Sequence, residues 1–304
     1  MNHISRRRCP ICENDDVSVL HQQKFALPEG HPLSDGYEVV CCEKCGFVYA
    51  DTMVTQEAYD QFYAKYSKYE DQKTGTGGIE NGWDRKRLEE TARTIATFLD
   101  NKLASVLDVG CANGGLLKSL KDIGYTNVFG IDPSAVCVAN TRRIGMDAEI
   151  GSLFQPLNRE RFNCIVLSHT LEHVQDLKQA AMWIHSMLGA NACVYFEVPD
   201  AARYIDFVDS PFQDFNTEHI NHFSITSLKN YLCENGFKPL KSGRKIIPAS
   251  ANKPYPAIFC FAKRSDSGCE IEKDIELKTK IKQYISISHK LLSEFDAIIR
   301  DYAF

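Results

Sequence analysis

The chain has 304 residues, of which 44% are hydrophobic and 25% charged, a composition typical of a folded globular protein and not of a disordered or fibrous one. Its 35 Lys and Arg residues against 40 Asp and Glu give a net charge of −5, which argues against a broad cationic surface for nucleic acid. The sequence contains neither an apolar run near the roughly 20 residues of a membrane helix nor an export signal, so we expect a cytoplasmic protein with no membrane span.

Cysteines are concentrated near the N-terminus, where Cys9 and Cys12, and then Cys42 and Cys45, form two C-x-x-C pairs. Four thiolates at this paired spacing predict a closed tetrahedral Zn²⁺ site, which stabilises a fold without doing chemistry. Cys41 competes with Cys42 for the third ligand position, and a redox pair or two unrelated turns are the alternatives. Among apolar neighbours, seven further cysteines are expected to be small core residues: Cys111, Cys137, Cys164, Cys193, Cys233, Cys260 and Cys269.

The sequence pattern then divides the chain into three predicted parts. A Tyr-rich connector leads to a Gly/Thr run at residues 74–78, which we interpret as a linker, and an amphipathic helix over residues 83–99 opens the next domain. We therefore expect a zinc-ribbon module with its connector at 1–75, a second domain at 76–265, and a C-terminal helix at 266–304.

The second domain alternates strand and helix signals. Short apolar runs predict strands at 106–109, 128–131, 148–150, 164–167, 193–198, 238–241 and 257–262, the last two as a terminal hairpin. Helices are predicted at 116–123, 134–143 and 177–188. This order indicates an α/β protein with a Rossmann-like, seven-stranded, mostly parallel sheet. Residues 270–304 predict one long amphipathic helix, whose apolar stripe offers a surface for self-association.

A glycine loop follows the first of these strands and leads into a helix. Gly110 and Gly114 let the backbone approach a ligand closely and direct helix N-terminal amides at it. The loop lacks the lysine of a nucleotide triphosphatase, and Ala112 interrupts the dinucleotide-binding pattern. Asp132 ends the next strand, where an acidic residue accepts both hydroxyls of a ribose.

With the motif D-V-G-C-x-x-G and this acidic strand end, the sequence resembles the class I S-adenosylmethionine-dependent methyltransferases. The resemblance implies S-adenosylmethionine as cofactor, with Asp108 near its ammonium group. Implied cofactor contacts are Gly110, Cys111, Asn113 and Gly114 at the methionine end, Asp132 and Pro133 at the ribose, Ser152 and Leu153 at the adenine, and Ser168, His169 and His173 in a loop beside the cofactor. His169 and His173 also have the spacing of a helical metal site, although no third ligand is adjacent in sequence.

The cysteines, the connector and the segment 218–224 together resemble zinc-containing nucleotide-sugar C-methyltransferases over roughly residues 9–265. This resemblance implies His219 as general base, with Glu218 to orient it. Asn216 stands where that family has a tyrosine, so the acceptor atom, carbon or oxygen, stays open. Candidates for the missing phenol are His222, Tyr66 and Tyr69. A helix N-terminal cap is the alternative interpretation of Glu218 and His219.

The leading hypothesis is therefore a methyltransferase that acts on a carbon of a nucleotide-linked ketosugar. Alternatives are an O-methyltransferase of a sugar or polysaccharide precursor, a nicotinamide-dependent oxidoreductase, and an inactive zinc-ribbon and Rossmann-like binding protein. Intact Asp108, Gly110, Gly114 and Asp132 argue against the last. Family members carry a further α/β domain after a connecting helix, so this chain, which stops at Phe304, is either a shorter relative or part of a longer one.

Overall fold

The computed structural model describes residues 3–66, 70–71, 76–250, 253–266 and 269–302, which form two β-sheets with helices around them. The strands are β1 His3–Ile4, β2 Asp16–Lys24, β3 Gly36–Cys42, β4 Val48–Asp51, β5 Ser105–Val109, β6 Asn127–Asp132, β7 Asp147–Ile150, β8 Phe162–Ser168, β9 Leu188–Pro199, β10 Asn221–His222, β11 Phe237–Ser250 and β12 Lys253–Arg264. The helices are α1 Gln56–Tyr66, α2 Gly82–Ala96, α3 Gly115–Asp122, α4 Ala135–Arg143, α5 Leu177–Met187, α6 Ile225–Glu234 and α7 Leu277–Tyr302, with 3₁₀ turns at Leu171–His173 and Ala201–Phe207.

The larger sheet has the order β11-β12-β9-β8-β5-β6-β7. Strands β7, β6, β5, β8 and β9 are parallel, and the hairpin β11–β12 adds two antiparallel strands at the edge. The predicted Rossmann-like, seven-stranded, mostly parallel sheet is therefore confirmed. Because the chain runs from β5 outward to β7 and then returns to β8 on the other side of β5, the crevice for a ligand lies at the carboxyl ends of β5 and β8.

The smaller sheet is antiparallel and has the order β1-β2-β3-β4-β10. Its last strand comes from residues 221–222, so it extends beyond the module expected at 1–75. Helix α7 begins beside this sheet, where the backbone amide of Asp274 donates to the carbonyl of Cys45 at 2.9 Å. Gly46 permits this approach, since a Cβ there would collide with the Asp274 carbonyl oxygen. The N-terminal sheet is thus tied into the rest of the chain on two sides.

Apolar clusters fill both faces of the large sheet. One contains α5 and α6 and continues into Val40 and Tyr49 of the N-terminal sheet, so the two sheets share a core. The second lies under α2 and α3. A third joins the N-terminal sheet to α7 through Leu277, Ile281 and Tyr284. Further along α7 the apolar side chains of Leu292, Phe295, Ile298 and Ile299 are exposed.

The expectation that Cys233 and Cys269 are core residues is wrong, because a disulfide joins them and Cys269 is exposed. The cause is the path of residues 269–276, which run as a non-helical segment beside α6 before α7 begins at Leu277. Asn230 of α6 holds this segment through two hydrogen bonds with the backbone of Glu272, at 2.6 and 3.1 Å. The predicted C-terminal helix therefore starts seven residues later than its pattern indicated.

Part of the predicted linker is packed rather than exposed. The backbone amides of Gly77 and Gly78 donate to the carboxylate of Asp84, and the carbonyl of Gly77 accepts from the amide of Gly115. Residues 74 and 75 lie outside the described residues. Within the described part of the chain, no helix is long and apolar enough to cross a membrane.

Candidate active site

A cavity of about 320 Å³ opens at the carboxyl ends of β5, β6 and β8. Of the residues predicted to bind cofactor or acceptor, those that line it are Asp108, Gly110, Cys111, Asp132, Pro133, Ser152, Leu153, Ser168, His169, His173 and His219. The topology alone explains this convergence, because neighbouring parallel strands end at the same edge of the sheet.

The glycine loop forms the floor of the cavity in the conformation expected from its sequence. Gly110 and Gly114 adopt φ angles of 76° and 78°, which side chains rarely tolerate. A Cβ at Gly110 would lie 3.2 Å from the hydroxyl of Thr170, so the loop leaves room only for backbone there. Neither Gly114 nor Asn113 lines the cavity: Gly114 precedes α3, and Asn113 is buried, where its side-chain oxygen accepts from Asn140 at 2.8 Å.

Two buried carboxyl groups flank this loop. Burial, and then the nearby charge of Asp132, raises the pKa of Asp108 to about 7. Burial also raises the pKa of Asp132 to about 6, against the opposing effect of two backbone amides, of Ala112 and Ser134, that donate to it at 2.9 Å. Two carboxyl groups in this position favour a ligand that carries positive charge and hydrogen-bond donors.

A cation also lines this side of the cavity, and the sequence analysis missed it. Arg87 of α2 is nearly buried and pairs with Asp84 through two contacts of 2.9 and 2.8 Å. Its charge acts on Asp108 and opposes the rise in that pKa. The helical pattern of residues 83–99 could not distinguish Arg87 from a solvent-exposed basic residue, because only the packing of α2 on the loop reveals its position.

His169 lies between two buried glutamates. Its Nδ1 is 3.2 Å from Glu172 and its Nε2 is 3.4 Å from Glu197. Burial alone would lower the pKa of His169, but the hydrogen bond to Glu172 and the negative charges of both carboxylates outweigh burial and raise this pKa. His169 also has a left-handed backbone, with φ of 54°, and its amide donates to the Glu197 carbonyl at 2.7 Å. Lys245 forms an ion pair with Glu197 from behind.

The opposite wall carries His219 and two phenols, Tyr63 of α1 and Tyr255 of β12, which the sequence analysis did not select. Asn216 fixes the backbone of this wall, because its side-chain oxygen accepts from the amides of Glu218 and His219, both at 2.9 Å. The rings of His173 and His219 lie 4.9 Å apart, edge to face. A titratable imidazole and two phenols therefore face the cofactor side across the cavity.

Three of the five predicted catalytic residues do not line the cavity, and a fourth is not among the described residues. Glu218 lies behind His219, where it accepts a hydrogen bond from Tyr63 at 3.4 Å. Tyr66 is 54% exposed at the end of α1. His222 is fully buried on β10, packed against Phe215, and its ring nitrogens have no hydrogen-bond partner among the described residues. Burial lowers the pKa of His222 to about 3, so it is a neutral core residue in this structure. The fourth, Tyr69, falls outside the described residues.

The four predicted metal ligands come together outside this cavity. The Sγ atoms of Cys9, Cys12, Cys42 and Cys45 all lie within 4.8 Å of one another, and Asn14 donates to Cys42 at 3.6 Å. This is the donor set of a structural zinc site. The thiol of Cys41 does not join this cluster and donates to the Gly46 carbonyl oxygen instead. Burial raises the pKa of Cys41 to about 12. The geometry therefore selects Cys42 over Cys41.

Known proteins share this fold. The chain is similar to magnesium protoporphyrin IX methyltransferase from Synechocystis PCC 6803, with 15% identity and a TM-score of 0.50 over 69% of this chain and 99% of that one. It is also similar to S-adenosylmethionine-dependent methyltransferases from Clostridium acetobutylicum ATCC 824, with 12% identity and a TM-score of 0.47 over 60% and 92%, and from Mesorhizobium loti, with 17% and 0.47 over 58% and 98%. Curated protein sequences contain no significant match.

A glycine loop at the switch point of a Rossmann-like sheet, with acidic residues at the ends of β5 and β6, defines a nucleotide-cofactor protein. The sequence model of the methyltransferase domain matches residues 83–242, just over half of the chain. The chain therefore belongs to the methyltransferase-domain family and is an S-adenosylmethionine-dependent methyltransferase.

Proposed function

We propose that this methyltransferase transfers the methyl group to a carbon of a nucleotide-linked ketosugar, with His219 as the base that removes the acceptor proton. The observation that carries the proposal is the composition of one cavity: carboxyl groups and a glycine loop for the cofactor on one side, and an imidazole with two phenols on the other. The proposal also draws on the resemblance of the cysteine pairs, connector and 218–224 segment to nucleotide-sugar C-methyltransferases.

The residues present fit S-adenosylmethionine. Asp108 and Asp132 are buried carboxyl groups with raised pKa values, a situation that a cationic ligand with ribose hydroxyls relieves. Asp108 would hold the ammonium group, Asp132 the ribose, and Arg87 the carboxylate. Leu153 supplies an apolar wall for the adenine. When bound, the cofactor supplies an electrophilic methyl group on a sulfonium.

Methyl transfer to carbon requires loss of a proton beside a ketone and stabilisation of the resulting oxyanion. His219 would perform the first task, because Asn216 holds its backbone and the residue lines the cavity. Tyr63 would perform the second by turning its hydroxyl from Glu218, 3.4 Å away, to the acceptor, and would so replace the tyrosine that is absent at Asn216. The Tyr255 hydroxyl donates to buried Asp214 at 2.6 Å, so Tyr255 has only lone pairs left and would accept a hydrogen bond from a hydroxyl of the acceptor.

Oxygen methylation of a sugar or polysaccharide precursor is the second candidate. Asn216 favours it, because this side chain is used to cap the turn and supplies no acid for an enolate. The same base would then remove a hydroxyl proton.

The test is single-turnover transfer from cofactor with a ¹³C-labelled methyl group to a panel of nucleotide sugars with and without a keto group. The chemical shift of the product methyl distinguishes attachment to carbon from attachment to oxygen. Substitution His219→Ala should lower kcat by about 10²- to 10⁴-fold while cofactor affinity stays within twofold. His289→Ala, which removes an exposed histidine on α7, is the matched control. A His219→Ala enzyme with the wild-type rate would exclude the base assignment.

We also propose that the four N-terminal cysteines bind structural Zn²⁺. Their support is the closed donor set and its burial beneath the start of α7, which leaves no position for a substrate.

We also propose that the chain self-associates through α7. The support for this is the exposed apolar stripe at Leu292, Phe295 and Ile299. Light scattering of the wild type against Phe295→Glu tests it. A monomeric wild type would contradict it.

A further inference from the structure

Three side chains that can ligate a metal lie close together in the cavity, and the proposed reaction does not require all three. A carboxylate oxygen of Glu172 and one ring nitrogen each of His173 and His219 lie within 4.8 Å of one another. Two of these residues belong to the 3₁₀ turn Leu171–His173 and the third to the loop before β10, so no local spacing in the sequence indicates the cluster. We propose that these three side chains form a second metal site, which binds a divalent transition-metal ion such as Zn²⁺.

The ring of His173 is already oriented for metal ligation. His173 has its Nδ1 at 3.0 Å from the carbonyl of Glu218, which only accepts, so Nδ1 carries the proton and Nε2 presents its lone pair toward the cluster. Histidine ligands commonly make this backbone hydrogen bond, which fixes the ring orientation. Nε2 of His173 lies 3.9 Å from Oε1 of Glu172.

Glu172 provides the second, independent observation. It is 1% exposed, and its Oε2 has no hydrogen-bond partner among the described residues, although Oε1 is held by His169. A buried carboxylate oxygen without a donor is costly unless a cation or proton occupies it. The ion would therefore satisfy an oxygen that the protein alone leaves without a partner.

The backbone holds the two segments in register. The amide of Ile220 donates to the Glu172 carbonyl at 2.9 Å, and Asn216 fixes the amide of His219. A tetrahedral shell with bonds of about 2.0–2.2 Å requires only small side-chain movements from the present separations. All three residues line the cavity, so the fourth position is open to water or to an oxygen of the acceptor. Two imidazoles and one carboxylate select Zn²⁺ or Co²⁺ over Mg²⁺.

A bound ion would occupy a ring-nitrogen lone pair of His219, and the proposed base needs that lone pair to accept the proton. This consequence, and only this one, rests on the proposed function: Zn²⁺ at the second site should inhibit methyl transfer and compete with the acceptor, not with the cofactor.

The experiment measures ion binding without turnover. Protein with its cysteine site filled by Zn²⁺ is dialysed against Co²⁺, and the bound cobalt is counted and followed by its visible ligand-field absorption, with Mg²⁺ as the competing hard cation. We expect one Co²⁺ per chain in the wild type and in the His289→Ala control. Glu172→Gln and His219→Ala should each weaken this binding by at least tenfold. His219 is only partly buried, so its variant tests the site even if Glu172→Gln fails to fold.

Absence of a second ion in the wild type would overturn the proposal, as would cobalt binding that survives both substitutions. The kinetic arm separates this from the proposed function. If the second ion binds through these residues and the rate is unchanged or raised, the metal site stands and His219 is not the base.

Discussion

The pKa of Asp108 makes cofactor binding depend on pH in a way that can be calculated. Burial and the charge of Asp132 raise this pKa to about 7, so the carboxyl group is about half ionised at pH 7 and about 3% ionised at pH 5.5. The amino group of the cofactor stays protonated over this range. If the ammonium group binds the ionised form, the titration of Asp108 alone should lower affinity about fifteenfold from pH 7 to pH 5.5.

The ionisation of Asp132 makes a separate contribution to the pH dependence of cofactor affinity. With a pKa of about 6, its ionised fraction falls about fourfold over the same range. Asp108→Asn should therefore weaken binding at pH 7 by roughly tenfold or more, since a charge-assisted contact contributes about 1.5–3 kcal/mol, and should retain only this fourfold pH dependence.

Isothermal titration calorimetry with S-adenosylmethionine at pH 5.5, 6, 6.5 and 7 measures both effects. Asp122→Asn, at the exposed end of α3, is the control that removes a carboxylate outside the cavity. A wild-type affinity that is flat between pH 5.5 and pH 7 would refute the reasoning. So would an Asp108→Asn variant with the full wild-type slope.

Three further predictions concern other parts of the molecule. Asp132→Ala should weaken cofactor binding at least tenfold, because it removes the ribose contact and the acceptor that holds two loop amides; unchanged calorimetric affinity in a folded variant contradicts this. Metal analysis should find one tightly held Zn²⁺ per chain, and chelation or Cys45→Ser should lower the melting temperature; a zinc-free protein of full stability would exclude the site. Burial raises the pKa of Asp214 to about 6, so the stability its neutral form provides is complete below about pH 4 and is lost as pH rises through 6. Asp214→Asn should therefore gain in melting temperature relative to wild type between pH 5 and pH 8, and a constant difference across that range would show that the carboxyl group does not titrate there.

The large sheet was predictable because buried parallel strands are continuous apolar runs, and the cofactor residues lie at their ends in sequence order. The structure extends the strands of the hairpin well beyond residues 238–241 and 257–262, which the sequence pattern marked. The added residues, such as 242–245 and 253–256, are polar residues, glycine and proline rather than an apolar run, so the pattern could not detect them.

The other residues that line the cavity were less predictable. Tyr63, Arg87 and Tyr255 come from α1, α2 and β12, and no spacing in the sequence relates them. His222 was a candidate for the missing phenol because it stands where the resembled family has a later tyrosine, yet the two-residue strand β10 directs it into the core. The disulfide between Cys233 and Cys269 was also missed, because a segment without regular structure brings Cys269 close to α6.

Strand β10 links two parts of the molecule that the sequence separates. Asn221 and His222 pair with Tyr49 and Val48, and β4 itself follows the second cysteine pair directly. His219 precedes β10 by two residues, so the loop that carries it is anchored to the sheet that the proposed zinc site would organise. Loss of zinc from the cysteine site, as in Cys45→Ser, should consequently act at a distance. The enzyme would bind cofactor normally at β5 and β6 and yet position its acceptor poorly, which raises KM for the acceptor only.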